Sequence, residues 1–82
     1  MTIPEHFTKD EATALIGKTF KARRRFNAIP TGTKGKVIEI DNKGLGHWDV
    51  VIEWIFPRAQ GLRDWFTKEE MALYMREVNN AR

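Results

Sequence analysis

The chain has no cysteine and no serine. The first absence excludes disulfides, thiolate zinc sites and iron–sulfur clusters, and it fits a reducing compartment. The second, taken with the first, leaves no Ser or Cys centre for nucleophilic catalysis. Histidine is scarce: His6 and His47 stand far apart in the chain, outside any metal-ligand spacing, so no metal site is expected. No Gly-rich element has the spacing of a P-loop or a dinucleotide fingerprint, so no cofactor is expected either. No apolar run approaches membrane-spanning length, and Met1–Phe7 lacks the basic and apolar regions of a secretory signal. These absences predict a non-enzymatic cytoplasmic protein with no membrane partner.

What is present is core material and an uneven charge distribution. The 82 residues make one small domain, 1–82, which should bury about 60 to 65% of the surface its unfolded chain exposes. Five Phe, three Trp and a tract of Val and Ile supply a core that needs no staples. Between Lys18 and Ile38 the chain carries Lys18, Lys21, Arg23, Arg24, Arg25, Lys34 and Lys36 with no acid among them. The rest of the chain has seven basic against eleven acidic residues, so the net charge of +3 is a local asymmetry that can steer an anion to one face.

Thr8-Lys-Asp-Glu11 reads as a capping box opening a helix over about 8–16, with Ala12, Leu15 and Ile16 as its apolar stripe and Gly17 as its C-cap. Lys18–Phe26 alternates as a strand with Phe20 and Ala22 inward and Lys21, Arg23 and Arg25 outward; Arg24 falls on the inward phase unless a bulge or an acid accommodates it. Pro30 and Gly32 interrupt the next segment, and Gly35 is expected to supply a backbone angle that other residues resist. Strands follow over 36–41 and 47–54, the second with Trp48, Val50, Ile52 and Trp54 on one face and Asp49, Val51 and Glu53 on the other. A last short strand, Leu62–Phe66, leads into a second capping box, Thr67-Lys-Glu-Glu70, and a helix over about 67–79. This order predicts a mainly β domain: a small, bent antiparallel sheet with helical flanks.

Residues 17–66 resemble the SH3-like small barrels, and Thr31-Gly-Thr-Lys-Gly-Lys-Val-Ile-Glu-Ile40 within them is similar to a KOW-type element. The resemblance implies an antiparallel barrel of four to five strands acting as a binding module. KOW-type proteins commonly touch RNA or the transcription and translation machinery, whereas other SH3-like barrels bind peptides or dock in complexes, so fold alone does not choose. Asp64-Trp65-Phe66 followed by Thr-Lys-Glu-Glu is also similar to small bacterial proteins without an assigned activity. A further likeness in size and fold is to type II dihydrofolate reductases, which assemble an active pore from several copies; their Val-Gln-Ile-Tyr signature is missing here.

The candidate ligand residues are therefore Lys21, Arg23, Arg25, Lys34 and Lys36, with Arg58, Arg63 and Trp65 as a second group near the later loop. Nucleic acid and an acidic protein surface are the rival partners, and solvation or protection of a sheet edge is the ligand-free alternative for the same cations. Trp48 and Trp54 read as core; Trp65 reads either as a ligand surface or as packing under the last helix. Met71, Tyr74 and Met75 are candidates for a partner or homodimer surface. Asp49 and Glu53, beside arginines, read as ion-pairing acids more readily than as an acid–base couple.

Overall fold

Each helix starts where a threonine hydroxyl supplies a missing backbone partner. The computed structural model of the chain describes residues 6–56 and 61–78. In α1, Lys9–Leu15, the Thr8 hydroxyl accepts from the Glu11 N–H at 3.1 Å, and the Glu11 carboxylate accepts from the Thr8 N–H at 3.0 Å. Thr67 and Glu70 repeat this box at 3.1 and 2.9 Å to open α2, Lys68–Tyr74. Two turns are too short to persist alone. Each helix is held instead by what it buries, Ala12 from α1 and Met71 from α2. Lys68 joins the two helices through its ammonium, 3.0 Å from Glu11 Oε2.

Five strands form one antiparallel sheet: β1, Thr19–Ala22; β2, Lys34–Gly44; β3, His47–Trp54; β4, Arg63–Phe66; and β5, Met75–Glu77. Their order is β4-β3-β2-β1-β5, so β1 lies in the interior, and β4 and β5 end the series. The expected mainly antiparallel β fold with two helices is present, with one strand more than the sequence pattern marked out. Its core joins Phe20 and Ala22 of β1, Val37 of β2, Val50, Ile52 and Trp54 of β3, Phe66 of β4 and Met75 of β5 with Phe7, Ala12, Ile29 and Met71. Trp54 is fastened there by its indole N–H, which donates to Asp64 Oδ2 at 2.6 Å. Trp48 is half-buried against this core.

Four expectations change. The first strand stops at Ala22, because Phe26 turns back to pack on Phe66 and Tyr74, at ring distances of 4.8 and 5.1 Å. A tight turn fixes that reversal: Phe26 and Ile29 exchange backbone hydrogen bonds at 3.0 and 2.7 Å, and Asn27 takes φ +53°. Arg23, Arg24 and Arg25 thus leave the strand and occupy an exposed bend. The second helix ends at Tyr74, since Met75 is extended (φ −123°, ψ 153°) and pairs with Ala22.

Met71 and Met75 are 6% and 4% exposed and belong to the core, so they offer no partner surface. Tyr74 is half-buried with them. Gly35, finally, is required for space and not for an unusual angle. A Cβ there would lie 2.5 Å from Ile52 Cγ2 and 3.0 Å from Trp54 Cε3.

Candidate anion-binding face

Opposed residues of an antiparallel pair project from the same face of the sheet. Lys21 is opposite Lys34 on one side and Arg76 on the other. Its neighbours Phe20 and Ala22 are buried, so the alternation turns Lys21 outward, and Lys34 and Arg76 with it. Three cations therefore stand in one row across β5, β1 and β2, at strand spacings of about 4.8 Å. Lys36 follows on the same face of β2, between Thr19 of β1 and Glu53 of β3.

None of these four has a carboxylate within ion-pair distance among the described residues. The pairs that do form are Lys18–Glu77 at 3.5 Å, Lys43–Asp41 at 3.1 Å, Arg63–Glu53 at 3.9 Å and Lys68–Glu11 at 3.0 Å. Like charges set directly opposite each other cost stability, by a few tenths to about 1 kcal/mol per pair. The row contains two such pairs, Lys21–Lys34 and Lys21–Arg76; Glu77, which borders the same cleft, is paired with Lys18.

Two shallow clefts flank the row and share Lys21 and Arg76 as walls. One, of about 300 Å³, adds Ala22, Arg23, Thr31 and Gly32; the other, of about 330 Å³, adds Lys34, Glu77 and Val78. A third cleft, of about 370 Å³, lies beyond Lys36 and is lined by Glu53, Trp54, Ile55, Phe56 and Gly61. Ile55 continues the cationic row, because its N–H donates to the Lys34 carbonyl at 2.9 Å, and its side chain is 57% exposed.

The structure thus gathers Lys21, Lys34 and Lys36 and disperses the other candidates. Arg23 borders the first cleft, but its Nη1 donates to the Ala72 carbonyl at 3.0 Å and so caps the last turn of α2. Arg25 donates from Nε to the Asn27 carbonyl at 3.3 Å and lines neither cleft of the row. Arg58 lies outside the described residues. Arg63 sits on β4, beside Glu53. Trp65, 46% exposed, lies on the outer side of β4, away from α2's buried Met71, and its indole N–H donates to Asp41 Oδ2 on β2 at 3.0 Å. To reach Asp41 the indole must cross β3. This explains why Val51, opposite Trp65 on that outward face, is fully buried.

Arg76 is the residue that sequence reasoning missed. Its strand, Met75–Glu77, is three residues long and does not alternate, so the sequence carries no period-two signal there and a helical pattern absorbs it equally well. At the other end of the outer face the charge reverses: Asp41 opposes Asp49, and burial pushes the Asp49 carboxyl above its usual range, opposed by Lys43 and aided by Glu70 and Asp41. His6 and His47, remote in sequence, stack at 3.6 Å with planes 8° apart. Among the described residues no three His, Asp or Glu side chains gather to hold a metal ion, and no helix is long and apolar enough to cross a membrane.

Comparison with known proteins finds no matching family model, no matching curated protein and no matching solved structure.

Proposed function

We propose that this chain is a non-enzymatic binding module of the SH3-like small-barrel kind that engages an anionic partner through Arg76, Lys21, Lys34 and Lys36. One observation carries the reading: three cations are directly opposed across β5, β1 and β2 with no carboxylate pairing any of them among the described residues. An anion laid over the row would relieve the repulsion that the free fold bears. The barrel component is supported by the strand order β4-β3-β2-β1-β5, by the long connection between β1 and β2, and by Gly35-Lys36-Val37 at the start of the second strand.

The test is titration of the protein with inorganic polyphosphate at low salt, read by intrinsic tryptophan fluorescence or calorimetry. Lys21→Glu with Arg76→Glu should weaken binding by at least about tenfold, and the wild-type affinity should fall steeply with added salt. Unchanged binding by the doubly reversed protein would refute the assignment of the face. A second reading, self-association along β4, is favoured by its terminal place in the sheet and by Leu62 and Trp65, 44% and 46% exposed. Light scattering decides it: a monomer at high concentration rejects the dimer.

A further inference from the structure

We infer that the anion is the backbone of a single-stranded nucleic acid, crossing the strands from Arg76 to Lys34 and laying a base in the cleft at Ile55 and Phe56. The inference rests on the basic-face reading above and adds the partner's class. Three features of the surface select that class.

The cationic row does not end in solvent. Its next position, just past the end of β3 and opposite Lys34, is Ile55, and the adjoining cleft sets Lys36 beside Ile55 and the half-buried Phe56. A charged track that runs into an apolar wall matches a polymer that alternates phosphates with flat, weakly polar bases. A peptide carries its carboxylates on separate flexible side chains and lacks the fixed repeat of charge and flat base that a sugar–phosphate backbone imposes. Glu53, the acid in this cleft, lies 3.9 Å from the Arg63 guanidinium, which offsets its charge.

The elements beside the row also disfavour a duplex. Reading a major groove takes a helix or a projecting two-stranded ribbon. Both helices here are seven residues long and place acids in their first turns, Asp10 and Glu11 in α1, Glu69 and Glu70 in α2. Those acids repel phosphates. The β2–β3 ribbon carries acids towards its turn, where Asp41 and Asp49 are opposed. What remains at the basic end is strand surface. Finally, two clefts share Lys21 and Arg76 as their common wall, so successive phosphates can sit on either side of one cationic ridge.

The experiment compares a fluorescein-labelled oligo(dT) of about 12 nucleotides, a duplex of the same length, polyglutamate and inorganic polyphosphate, by anisotropy and competition at low salt. The expected result is tighter binding of oligo(dT) than of the duplex, with a log–log salt slope of about −2 to −3, from about −0.7 for each phosphate met by Arg76, Lys21, Lys34 and Lys36. Ile55→Ser and Phe56→Ala should each weaken oligo(dT) about fivefold or more and leave polyphosphate binding unchanged, which also verifies folding. Equal or tighter duplex binding, or oligo(dT) binding indifferent to both substitutions, would overturn this inference while the basic-face reading stands. Capture of polyglutamate without oligo(dT) would replace the partner by an acidic protein. Failure to bind any of the four polyanions would remove the basic-face reading itself.

Discussion

Gly35→Ala is the sharpest test of how β2 packs on β3. Gly35 lies opposite Trp54 with an ordinary strand geometry, so alanine carries no conformational penalty there. On chain entropy alone the substitution would stabilise the protein by about 0.4 to 1 kcal/mol, through loss of freedom in the unfolded state. The new methyl, however, would stand 2.5 Å from Ile52 Cγ2 and 3.0 Å from Trp54 Cε3. Neither neighbour can retreat, because Ile52 and Trp54 are 0% and 2% exposed, and the indole is tied to Asp64. Overpacking of this sort costs about 1 to 3 kcal/mol, which outweighs the entropic gain at all but the low end of that range. For a domain of this size a loss of about 1 to 2 kcal/mol lowers Tm by roughly 4 to 16 °C. Thermal melts followed by far-UV circular dichroism give the answer, with urea midpoints as the check. Ile52→Ala removes the clashing methyl, so in a double-mutant cycle the two substitutions should cost less together than the sum of their separate costs, by at least about 0.5 kcal/mol. A Gly35→Ala protein as stable as the wild type, or additivity in the cycle, would refute the close-approach account.

Other perturbations probe separate parts of the fold. Trp54→Phe keeps most of the apolar contact but removes the donor to Asp64, and should cost about 1.5 to 3 kcal/mol by urea denaturation. Adding Asp64→Asn should recover part of that loss. Thr67→Ala removes the α2 cap and should cost about 1 kcal/mol, with reduced protection of the Glu70 amide in hydrogen exchange. For Asp49, burial raises the folded-state pKa above 3.8, so the native state binds the proton more tightly and stability falls as pH rises through the interval just above 3.8; Asp49→Asn should abolish that loss in a pH series of melts. Glu11 has the opposite sign: the Thr8 N–H, then Lys68, lower its pKa below 4.5, so its contribution is present above 4.5 and is lost on acidification, and Glu11→Gln should flatten that limb. Lys21→Thr, at the middle of the cationic row, should raise the stability of the free protein by a few tenths to about 1 kcal/mol and weaken polyphosphate binding, while a protein destabilised by the change would argue that Lys21 serves the fold.

Much of the fold was legible because local chemistry and tertiary structure agree. Thr8 and Glu11, and Thr67 and Glu70, announce both helix starts through bonds spanning only three residues. Val50, Ile52 and Trp54 announce β3 through their spacing of two, with Val51 the exception. What misled was every decision made by a distant partner. Lys18 to Phe26 suits a strand, yet Phe26 stacks instead on Phe66 and Tyr74, far along the chain, and β1 stops at Ala22. Met75 suits an amphipathic helix, and only the free edge of β1 draws it into an extended pairing with Ala22. Val51 looks exposed by its phase along β3. Its cover comes from an indole reaching between two other strands.

The same distinction governs the basic run. Read along the chain, its arginines could blunt an exposed sheet edge, a role that needs no ligand. That explanation requires the cations to sit on an edge strand. Lys21 does not, since β1 is hydrogen-bonded to β2 on one side and to β5 on the other; Lys34 and Lys36 do not, since β2 is held between β1 and β3. Of the row, Arg76 alone belongs to a strand at the end of the series. Nor do the arginines form the centre of the patch: Arg23 is spent on the Ala72 carbonyl and Arg25 on the Asn27 carbonyl. The charge that remains is carried mainly by lysines on interior strands, where replacing Lys21 or Lys34 by threonine would relieve repulsion and suit the strand better. Lys21 and Lys34 thus stand opposed on interior strands, away from any edge they could protect, which is the arrangement the proposed anion-binding role requires.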